Sequence, residues 1–166
     1  RSFTLEYSRH SREERHWFLE IAARALIDHI GAAEPPVPVE EILDHPPDVY
    51  QEDFGVVDMY SNLWDATFAR PPGQRGSIFV RVDLPAKERR LALARETLSA
   101  MITSKHGRDL GLPDLLMSEL RDSAEYFASF LLAPYAFVKA FRAQGGSEEL
   151  FGELFQLPAA VAEARW

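Results

Sequence analysis

Apolar residues recur at helical spacing through most of the chain, with one interval in which the period shortens to two. The first helical block spans residues 11–30: Ser11 and Glu14 form an S-x-x-E capping box, and Gly31 ends the run. Its expected core face is Phe18, Ile21, Ala22, Ala25, Leu26 and Ile30, with His16 and His29 at the surface or the edge. Residues 1–10 are polar and mixed and read as a loosely held arm. Pro35-Pro36-Val37-Pro38-Val39 is extended by proline geometry, and residues 39–43 predict a short helix stopped by Pro46-Pro47.

Between Asp48 and Asp83 the pattern predicts strand-like pieces at 49–53, 56–60, 64–68 and 77–82, with Arg70 to Gly76 as a turn or mobile loop. Helical spacing returns at 88–103. Residues 107–113 read as a loop and 114–133 as a long helix carrying Leu116, Leu120, Ala124, Phe127 and Leu131. Pro134 ends that helix and opens the next, 135–143; Gly145-Gly146 breaks the chain, Ser147 caps a short helix through Phe155, and Pro158 opens the last one. Strands clustered between helical blocks predict an α+β fold, mostly helical, with a small antiparallel or mixed sheet of about three strands. One domain spanning 1–166 is the expectation for this length.

The helix at 88–103 breaks its own pattern. With Arg95 at the centre of a helical wheel, Leu91, Leu98 and Ile102 fall within roughly 60° of it, Ser99 lies one turn on and Glu96 sits at the edge. An arginine and a serine therefore stand where a core helix carries Leu or Ala. The spacing is that of H-E-x-x-H, in which two histidines on one helix face hold zinc and the glutamate activates the metal-bound water. Here the frame reads Arg95-Glu96-Thr97-Leu98-Ser99.

Composition narrows the functional classes. Hydrophobic residues make up 46% and aromatic residues 11%, enough for a substantial core. A net charge of −8 argues against a nucleic-acid-binding face, so no direct nucleic-acid partner is expected. The absence of cysteine excludes a disulfide framework, thiolate ligands and thiol catalysis. No apolar run approaches about 18 residues and no secretory leader is visible, so a cytoplasmic location without a membrane span is expected. A first residue of Arg rather than Met leaves room for upstream sequence.

Taken in order, four segments resemble the ImmA/IrrE family of zinc metallopeptidases. Pro35-Pro36-Val37-Pro38-Val39-Glu40-Glu41-Ile42 resembles the family's proline-rich segment, and Ile78-Phe79-Val80 followed by Arg89-Arg90-Leu91-Ala92-Leu93-Ala94 its edge strand and lead-in to the metal helix. Ala124 with Phe127-Ala128-Ser129-Phe130-Leu131-Leu132-Ala133-Pro134 is similar to its "AN-x-FAA-x-LLMP" helix, and Leu150 to Pro158 with Val161 and Arg165 to its closing segment. The resemblance implies a zincin-like metallopeptidase fold and a role in bacterial stress or mobile-element control, acting on helix-turn-helix repressors.

Carried over by position, the family's two helix histidines fall on Arg95 and Ser99, and its general-base glutamate persists as Glu96. The third ligand falls in Arg121-Asp122-Ser123, with Ser123 a degenerate position and Asp122 a candidate surviving carboxylate; Glu125 stands at the family's Asn. Arginine has no lone pair for zinc and neutral serine is a poor ligand. The reading is a pseudopeptidase without cofactor, which binds a protein or peptide, with a helix-turn-helix regulator as the partner type the resemblance implies. Its cleft is expected to comprise Ile78, Phe79, Val80, Arg95, Glu96, Ser99, Asp122 and Glu125, with 78–82 as an edge strand open to a peptide. Arg95 is expected to be buried and ion-paired with Asp122 or Glu125. The alternative is a divergent zinc peptidase using Asp122, Glu125, Glu96 or His106 to cleave a repressor-type protein; a purely assembly-forming domain is the third reading. Nothing marks Ser99 and His106 as a nucleophile pair, and His106 reads as a helix cap or surface residue.

Overall fold

Local chemistry sets the first helix. In the computed structural model, which describes residues 11–166, α1 (Arg12–Ile30) starts where the Glu14 N–H donates to Ser11 Oγ (3.1 Å) and the Ser11 N–H to Glu14 Oε1 (2.8 Å). Gly31 closes it at φ 75°, a left-handed conformation that favours glycine. The expected arm at 1–10 lies outside the described residues. The buried residues of α1 are Arg15, Leu19, Ala23, Leu26 and Ile27; of the expected face Leu26 is buried, Phe18, Ala22 and Ile30 are half-buried against the core, and Ile21 and Ala25 are exposed. The helix is apolar on more than one side, and its neighbour α6 (Leu120–Leu132) decides which side is covered.

After α2 (Val39–Asp44), the piece expected as a strand at 49–53 is a 3-10 turn, Asp48–Tyr50, followed by further turn. Tyr50 and Phe54, four residues apart, stack with ring centroids 4.8 Å apart, which a turn allows and a strand, spacing them by about 13 Å, does not. The sheet comprises β1 (Gly55–Met59), β2 (Ala66–Ala69) and β3 (Ser77–Arg81) in the order β1-β3-β2, with β1 parallel and β2 antiparallel to β3. β3 is therefore the middle strand. Its Ile78 and Val80 are fully buried against α3 (Ala86–Thr103), which also packs on α6 and α2. The expected loop at 70–76 is tied down: Arg70 reaches Asp53, Arg75 Nη2 donates to Gln51 O (2.8 Å) and the Gly76 N–H to Glu52 O (2.7 Å).

The region expected as a loop and the start of a long helix is broken into α4 (Lys105–Asp109), α5 (Leu112–Leu116) and a 3-10 turn, Met117–Glu119. Ser104 ends α3 and caps α4, its Oγ accepting from the Gly107 N–H at 2.9 Å. Gly111 at φ 78° and Pro113 in the first turn restart the chain as α5. The expected helices α7 (Tyr135–Ala143), α8 (Glu148–Phe155) and α9 (Ala159–Arg165) follow, joined by an aromatic cluster of Phe141, Phe151, Phe155 and Trp166. Arg90 of α3 ties this end to the segment before α2 by donating to the carbonyls of Val37, Phe155 and Gln156. The architecture is α+β, mostly helical, around one hydrophobic core with α3 at its centre. Among the described residues no helix is long and apolar enough to cross a membrane.

Candidate functional site

Because α3 is packed from several sides, Leu91, Leu93, Ala94, Leu98, Ala100 and Ile102 are all buried around it. Arg95, Glu96, Ser99 and Thr103 form a half-exposed strip that opens between β2 and α6. This corrects the expectation for Arg95. It lies not at the middle of a buried stripe but on the open strip, its side chain 33% exposed. A wheel finds the buried pole of a helix covered on one face, and it misplaces residues on a helix with core on several sides.

Two polar groups of the strip reach in opposite directions. Arg95 turns toward α6, its Nε 2.8 Å from Glu125 Oε2; the N–H does not point along that line, so the contact is an ion pair without a directed hydrogen bond. Glu96 turns toward the sheet, its Oε1 accepting from the Phe68 N–H at 2.9 Å. The antiparallel ladder explains why that N–H is free to donate. The Arg81 N–H donates to Asp65 O, so residues 65, 67 and 69 face β3 while Ala66 and Phe68 direct their backbone groups outward. Burial pushes the Glu96 carboxyl above its usual range, opposed by the Phe68 N–H and by Arg95.

The other expected site residues scatter. The strand edge beside the strip belongs to β2, so 78–82 is not an open edge: Ile78 and Val80 are core residues, and Phe79 lies half-buried on the opposite sheet face. Asp122 does not meet Arg95. It joins α6 to α1, accepting from Arg12 Nη2 (2.9 Å) and Nε (3.3 Å), 3.1 Å from His16 Nε2 and 3.6 Å from Arg15. The Arg12 hydrogen bond, against some burial and with help from His16, holds the Asp122 carboxyl down at about 2. His16 also stacks on Tyr126, centroids 3.6 Å apart, whose hydroxyl donates to Glu20. Ser99 lines the strip, its carbonyl accepting from Thr103 Oγ1 (2.9 Å). Ser123 is fully buried, and its Oγ has no hydrogen-bond partner among the described residues. His106 packs edge-on to Tyr50.

Sequence reasoning missed Arg70. It closes one end of the strip, donating to the buried Asp53 (2.5 Å) and to Thr103 Oγ1 (3.2 Å), with its guanidinium over the Phe68 ring. Asp53 follows Gln51-Glu52 in a polar stretch, so nothing local marked it as the buried carboxylate that needs a cation.

Among the described residues no three His, Cys, Asp or Glu side chains are grouped to hold a metal ion. A zinc ion does not suit this strip: Arg95 brings a fixed cation, and Ser99 and Ser123 bring neutral hydroxyls. Neither a protein-family model nor a curated protein matches the chain. Among solved structures, a Mycobacterium tuberculosis transcriptional regulator is similar, with a TM-score of 0.59 at 18% identity. The likeness covers 89% of this chain and 46% of that one, so the chain spans less than half of the regulator's length. At that identity the likeness concerns the fold alone.

Proposed function

We propose that the chain is a single ImmA/IrrE-like domain of zincin-like fold that binds protein or peptide in a regulatory role and does not cleave it. The observation that carries this reading is Glu96. At the general-base position, its carboxylate is spent on the Phe68 N–H of the neighbouring strand, with Arg95 and Ser99 flanking it where ligating histidines would stand. Arg95 and Ser99 offer no zinc ligand, so this reading assigns Glu96 no metal-bound water to activate. The carboxylates that a divergent zinc peptidase would need are held apart, Asp122 by α1 and Glu125 by Arg95. Similarity in fold to a transcriptional regulator agrees with a regulatory role, and a helix-turn-helix protein is the partner type the family resemblance suggests.

Elemental analysis of protein purified without added metal tests the reading. The expected result is well under one zinc per chain, with no gain in Tm on adding zinc, since stabilisation by mass action needs a native-state site. One tightly held zinc per chain with a matching rise in Tm would overturn it and favour the peptidase.

A further inference from the structure

The sheet has two edges, and they end differently. On β2 the strip beside α3 closes over the outward N–H of Phe68. On β1 the parallel ladder directs alternate residues toward β3: the Gly55 N–H donates to Gly76 O (3.3 Å) and the Val82 N–H to Met59 O (3.1 Å). Gly55, Val57 and Met59 thus face β3. Both the N–H and the C=O of Val56 and Asp58 point the other way, where they meet no backbone partner among the described residues. Natural sheets blunt such an edge with charged side chains, prolines or bulges; Gly55-Val56-Val57-Asp58-Met59 contains no lysine or proline, and its one charge, Asp58, lies 3.8 Å from Arg89. Val56 and Val57 remain 37% and 41% exposed.

Beside this edge lies a cavity of about 800 Å³ between β1 and α2. Its floor is the buried Leu43 and Phe54, and its α2 wall carries Glu40, Glu41 and Asp44. Arg75 is the base lining it, and its Nη2 is already donating to Gln51 O. Glu40 and Asp58 share Arg89 and Asp44 lies 3.4 Å from His45 Nε2, while Glu41 has no ion partner among the described residues. The groove is therefore an unpaired strand edge facing an acidic wall on an acidic chain.

We infer that the β1 edge and the α2 wall form a docking surface for an extended segment of a partner protein with Lys or Arg at alternate positions. The segment adds to the sheet through the N–H and C=O of Val56 and Asp58. Its side chains alternate between the two faces of the sheet, so that every second residue reaches Glu40, Glu41 or Asp44. Charge complementarity selects this occupant over a second copy of the chain, because pairing two β1 edges would bring two acidic walls together. The surface lies on the sheet edge away from Glu96 and does not depend on the reading of that strip.

The probe is a synthetic seven-residue peptide, Thr-Lys-Val-Lys-Val-Lys-Thr with blocked ends, titrated calorimetrically into the protein. Two controls accompany it: the same peptide with Glu for Lys, and one N-methylated at alternate amides so that it cannot pair as a strand. The Lys peptide is expected to bind saturably and the Glu peptide not at all. Binding should weaken about tenfold in the double variant Glu41→Lys, Asp44→Lys, both at exposed positions, and fall further with salt. N-methylation should abolish it. No saturable binding up to about 1 mM, equal binding of the N-methylated peptide, or indifference to the charge reversal in a normally folded variant would overturn the proposal. So would self-association of the chain that the charge reversal strengthens.

Discussion

Asp122 is where a site role and a structural role predict opposite results. Asp122→Asn keeps size and one acceptor oxygen but removes the charge that holds Arg12, Arg15 and His16 on α1. The carboxyl sits at about 2 against an ordinary 3.8, chiefly through the Arg12 hydrogen bond. That depression has a ceiling of about 2.5 kcal/mol in stability. Arg12 is 69% exposed and Asp122 32%, so solvent screening reduces it to about 1 kcal/mol, or about 2–4 °C in Tm for a chain of this size. The sign follows from a depressed folded-state pKa. The contribution is complete above about pH 5, falls to roughly half near pH 3 and disappears below about pH 2. Urea denaturation of both proteins at neutral pH and near pH 3 measures it. A difference that is absent at neutral pH, or that does not shrink in acid, would refute the account. A carboxylate kept for the strip would instead leave stability unchanged when neutralised.

Glu96→Gln retains an acceptor for the Phe68 N–H and removes a charge whose burial raises its pKa, so thermal melting near neutral pH should show equal or higher Tm. A raised carboxyl pKa makes the wild type lose stability as pH climbs from the ordinary Glu value through the elevated one, and this slope should flatten in the variant. Arg95→Met should cost at most about 1 kcal/mol by chemical denaturation, because the pair with Glu125 is partly exposed on both sides; a loss several times larger would mean a buried pair. Gly107→Ala should be the most damaging of these changes, by upwards of about 3 kcal/mol, since a Cβ there would fall on the backbone carbonyl oxygen of Met101; a melting curve like that of wild type would show that the α3–α4 corner relaxes easily.

Helix ends were legible because they are written locally. Ser11 with Glu14, Gly31, Ser147 and Pro158 each satisfy or remove backbone groups within one turn, and each end falls where those residues place it. Faces and breaks were less legible. Which apolar side of α1 is buried depends on α6, more than ninety residues away, where Asp122 takes Arg12, Arg15 and His16. The break between α4, α5 and α6 rests on Gly107 lying against Met101 and on Gly111 in a left-handed conformation, contacts that no periodicity within 107–133 encodes. Strand order is likewise non-local: the run Ile78-Phe79-Val80 reads the same at an edge as in the middle, and only its pairing with both β1 and β2 decides.

The strip on α3 divides along the same line. That Arg95 and Ser99 break an apolar pattern is visible in one helix; a carboxylate partner for Arg95 was expected, with Asp122 and Glu125 both open, from a burial that Arg95 does not have. What Glu96 does was not visible, because its partner is a main-chain N–H and main-chain groups leave no trace in side-chain identity. The same reasoning applies to β1. The groups that leave its edge open are the amides and carbonyls of Val56 and Asp58, and only the parity of the ladder with β3 reveals them. The proposed docking groups on β1 are the main-chain N–H and C=O of Val56 and Asp58, beside Glu40, Glu41 and Asp44, whereas on β2 the outward N–H of Phe68 is taken by Glu96. Docking at the β1 edge, as proposed, would use no side chain of the α3 strip, so substitutions at Arg95, Glu96 or Ser99 should leave peptide binding there unchanged.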